Sequence, residues 1–410
     1  MAMDSASRAK PVHHVYFSPG MFGFTRLASY NYFAHVERAL AERFAEVGER
    51  IEAHVSDVLP TASMRRRADK LAELIARTAT GDGPIHLIGH STGGLDARLV
   101  ASPSTHLPVA AEARRWLPRL RSVTTMNTPH YGTPLASFFA TAQGQKVLYA
   151  LSAFTVIGLS LGARPLALAS VLIGVVGRSE RAIRITLPIV ERSTDSLLGL
   201  VDEARSPDVR AYLRAIKEDQ GAMVQLSPEA MDLMVAGFGD RQGVCYQSTV
   251  SMSPTPSVRN WFGTIGHPWH SVSLALFTAL HGITANRDRR YPCARMTADP
   301  AGGAAAPDET SEATLRGALG EAANLDGNDG CVPLRSQLWG TLVWAGLGDH
   351  LDVLGHYRDD TPEASAELRH HDWLTSGSQF DDAKFAALMD AIAAGMLKST
   401  RSKTHPEGAA

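Results

Sequence analysis

The sequence predicts an α/β fold: a mostly parallel sheet with helices on both faces and an inserted helical cap. Three observations predict it. Short β-branched or apolar runs alternate with stretches whose apolar residues recur every three or four positions. The pentapeptide Gly89-His90-Ser91-Thr92-Gly93 falls on one strand-to-helix junction. A long stretch after residue 133 then interrupts the alternation with apolar helical material. Alternating strand and helix implies parallel strands, whose apolar faces the crossover helices bury.

His13 to Phe17 (HHVYF) is β-branched and aromatic and reads as the first strand. Leu27, Tyr30, Phe33, Val36, Leu40, Phe44 and Val47 recur at helical spacing. Arg50 to Val55 reads as a second strand, and Arg65 to Arg77 as a helix with Leu71, Leu74 and Ile75 inward. Ile85, Leu87 and Ile88 mark a buried strand, and Leu95, Arg98, Leu99 and Val100 the helix after it. Arg121 to Met126 and Gly340 to Gly346 are further strands. Phe385, Leu388, Ile392 and Met396 place a closing helix beyond Gln379. Ala301 to Glu312, rich in Gly, Ala and Pro, reads as a loop.

The middle of the chain is less ordinary. Val147 to Val176 carries a single charge, Arg164. Gly162, Arg164 and Pro165 cut this run into pieces shorter than the ~20 residues a bilayer requires, so no transmembrane span is expected. A buried helix pair is one reading; a mobile cap with an apolar inner face is the other. Pro268 to Leu280 supplies a second apolar helix. The expected organisation is a core over 12–133 and 325–397, a helical cap over 134–240, and a second helical and loop insertion over 256–320.

With 44% hydrophobic and 20% charged residues, the 410-residue chain has the composition of a globule with a sizeable core. A net charge of −2 offers no electrostatic footprint for nucleic acid. Cys245, Cys293 and Cys331 are sparse, odd in number and not in metal-ligand spacing, which favours free thiols over a disulfide framework; one bridge involving Cys331 stays open. Residues 1–10 are polar with no apolar h-region, so a cytoplasmic location is expected, with secretion the alternative if a leader has been trimmed.

The chemistry is carried by Ser91. A serine on a sharp strand-to-helix turn is lifted out of the sheet, and the flanking glycines leave room for the turn. Ser18-Pro19-Gly20-Met21-Phe22-Gly23-Phe24 follows the first strand, where a glycine-rich turn can aim a backbone N–H at a developing oxyanion. Met21 and Thr92 are the candidate N–H donors. Asn324 to Pro333 is a dense turn cluster holding two acids in Asp-Gly settings. Asp329 is the preferred partner for an imidazole and Asp326 its rival. The strand-like run from Gly340 leads to Gly348-Asp349-His350-Leu351-Asp352, where a base after the last strand belongs. His350 is preferred there, with His356 as its rival.

With these pieces in order, the chain resembles an α/β-hydrolase of the bacterial lipase and esterase type. The matching pieces are Pro19-Gly20-Met21-Phe22-Gly23-Phe24, Gly89-His90-Ser91-Thr92-Gly93-Gly94, Asn127-Thr128-Pro129-His130-Tyr131-Gly132-Thr133, Asp329-Gly330 and His350-Leu351-Asp352. They cover about residues 12–135 and 325–397. The family's histidine before the oxyanion glycine is Pro19 here, and no family motif aligns between Thr133 and Asp329. The resemblance implies an α/β-hydrolase fold and a Ser91–His350–Asp329 triad cleaving carboxylic esters, with acyl chains favoured by an apolar cap. An acyltransferase using the same triad and an idle binding protein are the alternatives. A small ester or lipid is the implied partner, with transient contact to a lipid interface. No cofactor is required. Asp352 lies where some related lipases place a calcium ligand, yet one aspartate is far from the six or so oxygens calcium takes. His130 reads equally as a cleft residue or a satisfied loop histidine, and His370-His371-Asp372 as surface.

Overall fold

In the computed structural model, Val12–Ser18 forms strand β1, with its last six residues buried. The structure describes residues 12–21, 26–27, 30–58, 60–107, 111–142, 144–145, 147–148, 152, 211, 214–216, 218–237, 239–257, 268–286, 308–320, 327–358 and 372–401. After β1 come two short antiparallel strands, β2 (Arg26–Leu27) and β3 (Tyr30–Asn31). Helix α1 then spans Ala34–Glu46. Leu27 and Tyr30, which share the helical spacing in the sequence, therefore lie outside that helix. The chain turns at Asn31, whose side-chain oxygen accepts the Phe33 N–H at 3.2 Å, and the helix starts only afterwards.

The alternation continues through β4 (Arg50–Val55), α2 (Met64–Thr78), β5 (Ile85–His90), α3 (Thr92–Ala101) and β6 (Leu120–Met126). Then follow α4 (Pro134–Phe139), α5 (Gly221–Gln225), α6 (Pro228–Gly237) and β7 (Cys245–Met252). Helix α7 spans Pro268–Ala285 and α8 Glu309–Leu319. Strand β8 (Thr341–Leu347) and helix α9 (Asp382–Arg401) close the order. The loop expected over 301–312 gives way to helix at Glu309, because the Asp308 carboxylate accepts the Ser311 N–H at 2.7 Å and caps it.

Six strands form one parallel sheet in the order β4-β1-β5-β6-β7-β8. Phe17 and Val15 share one core with Val36, Leu40 and Phe44 of α1 and Leu388, Ile392 and Met396 of α9. Tyr16 and Leu87 share another with Leu71 and Ile75 of α2 and Leu95 and Leu99 of α3. The sheet is thus covered on both faces, the condition for a parallel sheet. Helix α8 covers the far edge, Leu315 and Leu319 meeting Val250 and Leu342. Ser91 follows β5, a central strand of this sheet.

Strand β7 is the element its composition hides. Its sequence CYQSTVSM is polar, yet seven of its eight positions are buried. Some of its polar groups find partners, Gln247 Nε2 donating to Thr124 Oγ1 of β6 at 2.8 Å and the Ser251 N–H to Gln337 Oε1 at 2.9 Å, which offsets part of the cost of burying them, while Gln247 Oε1 and Thr249 Oγ1 have none among the described residues. The strand falls in the gap between the two expected insertions. Most of the apolar run over 147–176, with the lid reading attached to it, lies outside the described residues, as do Cys293, Asp326, His370 and His371.

Candidate active site

Ser91 occupies the turn between β5 and α3 with φ 54° and ψ −128°. A non-glycine residue held there stores about 1–3 kcal/mol of strain, which the surrounding structure must impose. Two backbone bonds impose it. The Ser91 N–H donates to the Met126 carbonyl at 2.8 Å, and the Gly94 N–H donates to the Ser91 carbonyl at 3.1 Å. The C-terminal end of β1 lies directly on this turn: a Cβ on Gly93 would stand 1.9 Å from the Ser18 carbonyl oxygen. That contact brings Pro19-Gly20-Met21 alongside the serine. A Cβ on Gly20 would stand 2.8 Å from Ser91 Cβ and 2.9 Å from the Tyr32 hydroxyl.

Asp329 and His350 meet beside this turn. The His350 Nδ1–H donates to Asp329 Oδ2 at 2.7 Å. The Asn127 side-chain amide donates to the same oxygen at 3.0 Å, while Oδ1 accepts the Cys331 and Val332 N–H groups at 2.9 and 2.7 Å. Four donors converge on a fully buried carboxylate, so its position is fixed. The His350 backbone N–H also donates to the Asp329 carbonyl at 2.9 Å, which ties the two loops together. Asn127 reaches its place with φ 48° and donates to Ser251 Oγ as well, at 2.6 Å.

A hydrogen-bonded chain links the oxyanion-loop candidate to the His350 loop. The Gly20 N–H donates to Tyr32 Oη at 3.3 Å. The Tyr32 hydroxyl donates to His90 Nδ1 at 2.7 Å, and His90 Nε2–H donates to the His350 carbonyl at 2.8 Å. That set of roles requires a neutral imidazole. Burial, with the His350 ring beside it, pushes the His90 pKa well below the ordinary histidine range. The two rings lie 4.7 Å apart.

The departure at Pro19 finds its physical answer in α2. Arg67 is fully buried, its guanidinium donating to the Pro19 carbonyl and, at 2.8 Å, to Asp96 Oδ2 of α3. Ser18 Oγ donates to the same carboxylate oxygen at 2.8 Å. Burial raises the Asp96 pKa and the Arg67 charge opposes the rise. A buried ion pair therefore holds the Pro19 carbonyl and the loop that follows it. Sequence reasoning passed over Arg67, Asp96 and Tyr32, and gave Asn127 no role beyond its place in the segment after β6. One signal was present: Arg67 lies on the same helical face as Leu71 and Ile75, an odd place for a lone charge.

The remaining candidates separate cleanly. His356 packs edge-on against His35 of α1, ring centroids 5.5 Å apart. His130 is a satisfied interior histidine, with Arg98 Nη1 donating to its Nδ1 at 2.9 Å and its Nε2–H donating to Thr125 Oγ1 at 3.1 Å. Cys245 and Cys331 are free thiols, and burial and the neighbouring Asp329 and Asp349 raise the Cys331 pKa well above its usual value.

Asp352 sits against Asp349, both buried. Asp349 accepts the Leu351 and Asp352 N–H groups at 2.9 and 3.1 Å and the Ser376 hydroxyl at 2.8 Å. Asp352 Oδ2 accepts the Asp349 N–H at 2.8 Å and the Ser378 hydroxyl at 2.7 Å. Burial raises both carboxyls, Asp352 to about 7. Several of the lone pairs of Asp349 and Asp352 are thus taken up by N–H and O–H donors of their own loop and of Ser376 and Ser378, and no step is assigned to a metal here.

No family model matches the chain. A triacylglycerol lipase from Pseudomonas fragi is 33% identical over 135 residues, which are 32% of this chain and 39% of that protein. A triacylglycerol lipase from Vibrio cholerae is 32% identical over 119 residues, 28% of this chain and 32% of that one. The chain thus matches 39% and 32% of the length of these two curated relatives. Among solved structures, Staphylococcus hyicus lipase aligns over 98% of this chain and 100% of its own, with 14% identity and a TM-score of 0.47. Lipase 1 from Pelosinus fermentans aligns over 94% and 99%, with 15% identity and a TM-score of 0.45.

Proposed function

We propose that this α/β-hydrolase chain is a serine hydrolase that cleaves carboxylic esters with hydrophobic acyl chains. The observation that carries the reading is a strained Ser91 with a glycine loop pressed against it, next to a bonded His350–Asp329 pair whose loop is tied to the adjacent His90. The partial identity to two triacylglycerol lipases supports the ester class. Among the described residues no helix is long and apolar enough to cross a membrane.

In this reading Ser91 Oγ attacks the ester carbonyl carbon, and His350 Nε2 takes its proton. The Asp329 carboxylate fixes the imidazole tautomer and stabilises the imidazolium that forms. The backbone N–H groups of Met21 and Thr92 stabilise the tetrahedral oxyanion, a contribution of about 3–4 kcal/mol per donor in comparable sites. His350 then returns the proton to the departing alcohol oxygen. Water, deprotonated by the same imidazole, attacks the acyl-enzyme and releases the acid. The N-terminus of α3 begins at Thr92, so its unpaired N–H groups and dipole favour the developing negative charge.

A fluorophosphonate probe tests the reading. Wild-type protein is expected to label once and to hydrolyse p-nitrophenyl esters, faster for acyl chains of eight or more carbons than for acetate. Ser91→Ala is expected to lose labelling and about four to six orders of magnitude in kcat while keeping its circular dichroism. Wild-type turnover in that variant would sink the assignment.

A further inference from the structure

The outer edge of the sheet, away from Ser91, carries a three-residue cluster that the hydrolytic reading does not use. His14 of β1 lies directly opposite Glu52 of β4, and Tyr16 opposite His54. In parallel strands residues two apart share a face, so His14, Glu52 and His54 project together. Their ligand atoms all lie within 4.8 Å of one another. Glu52 Oε2 is 3.6 Å from His14 Nδ1, and Glu52 Oε1 is 3.2 Å from His54 Nε2.

We infer that His14, Glu52 and His54 form a binding site for a zinc-class divalent ion that fastens edge strand β4 to β1. The three groups already face one another: the buried atoms His14 Nδ1 and His54 Nε2 both point at the Glu52 carboxylate and have no other hydrogen-bond partner among the described residues. Tyr16 stacks on His54, ring centroids 4.9 Å apart, and holds the second imidazole. Two imidazoles and one carboxylate match zinc, nickel or cobalt better than calcium or magnesium. Zinc would draw the three atoms to about 2.0–2.2 Å each, which asks for side-chain rotation of roughly an ångström. The Glu52 side chain is 49% exposed, so water reaches the fourth position. Arg119 adds a nearby positive charge that weakens the site, but its guanidinium is bound to the carbonyls of Ala79, Thr80 and Gly83.

Calorimetry of the EDTA-treated full chain with zinc chloride, with His54→Gln and Glu52→Gln beside it, tests the site. Wild type is expected to bind one zinc near micromolar affinity that each variant binds at least tenfold more weakly. Its Tm is expected to rise by about 2–4 °C in 100 μM zinc, and the variants' Tm to stay unchanged. Cobalt chloride gives the independent readout: a visible d–d band in wild type that His54→Gln loses. Glu52 is half-exposed, so its variant keeps the fold if His54→Gln does not. Equal zinc affinity and equal Tm shift in wild type and both variants would overturn the site, as would absence of any zinc-dependent shift at 1 mM.

Discussion

Ser91, Asp329 and His350 each occupy a conformation or environment that their own residue type does not choose. The serine is held at positive φ by the Met126 carbonyl and the glycines beside it. The aspartate carries four donors in a fully buried site. Such placement was legible in the sequence for the three candidate triad residues, because Ser91 and His350 each follow a strand and Asp329 lies in a dense turn cluster. The choice between Asp329 and Asp326 was a matter of turn chemistry alone. Asn127 and Tyr32 were not legible, since their partners lie 202 and 58 residues away along the chain. Asp329→Asn is expected to keep the geometry and lower kcat by about four orders of magnitude, because the amide N–H₂ favours the wrong imidazole tautomer. His356→Ala, which removes a ring packed against His35, is expected to leave kcat within about twofold. Comparable losses in both variants, measured with a soluble p-nitrophenyl ester, would reverse the choice of base.

Elements hold the site through charges buried where the helices face the sheet. Helix α2 supplies Arg67 and α3 supplies Asp96, and the pair fixes the Pro19 carbonyl. Removing one member of a buried pair leaves the other uncompensated, a loss of about 3–5 kcal/mol. Arg67→Ala is therefore expected to lower the urea midpoint strongly. Arg67→Lys, which keeps the charge but not the forked geometry, is expected to fold and lose kcat more than it raises KM. A variant with unchanged kcat would show that the loop stands without this brace. The loop after β8 works in the opposite direction. Burial raises Asp349 and Asp352, with Asp352 and Asp372 adding to the rise at Asp349 and Asp372 to that at Asp352, so the native state holds a proton that the unfolded chain releases. That contribution is full below about 3.8, the ordinary value, and is lost as pH rises through about 7 for Asp352. The slope is up to about 1.4 kcal/mol per pH unit per extra proton. Urea midpoints are expected to fall between pH 5.5 and 7.5 in wild type, and to fall less in Asp352→Asn. Equal slopes would place the proton elsewhere. The strand pattern was legible wherever apolar residues dominate. It failed at β7, where both faces are buried but Ser, Thr and Gln occupy much of the strand, and a polar strand reads as loop until its cross-sheet partners are known.

At the scale of the whole molecule, the site is assembled from segments far apart in sequence: residues 18–20, 32, 90–91, 127, 329 and 350. None of the bonds that join them is local to one loop. Gly20 connects through Tyr32 and His90 to His350, and Asn127 connects β6 to the Asp329 loop. Gly20, His90, Asn127 and His350 lie at or just after the ends of β1, β5, β6 and β8 of the same parallel sheet, whose two faces are closed by α1 with α9 and by α2 with α3. A site so built has little stability of its own and cannot outlast the sheet, nor can it dissolve long before the sheet does. Activity and the far-ultraviolet dichroism signal are therefore expected to fall together in urea, with midpoints coinciding within about 0.3 M. Ile392 makes the stronger test, because it lies in α9, fully buried against the sheet and across the core from the serine. Ile392→Ala is expected to remove about 2–5 kcal/mol and move both midpoints down by the same amount, with kcat below the transition unchanged. Loss of activity at clearly lower urea than loss of structure would mean that the loops carrying Asp329 and His350 open on their own, and that their hydrogen bonds to Asn127 and His90 do not couple them to the sheet.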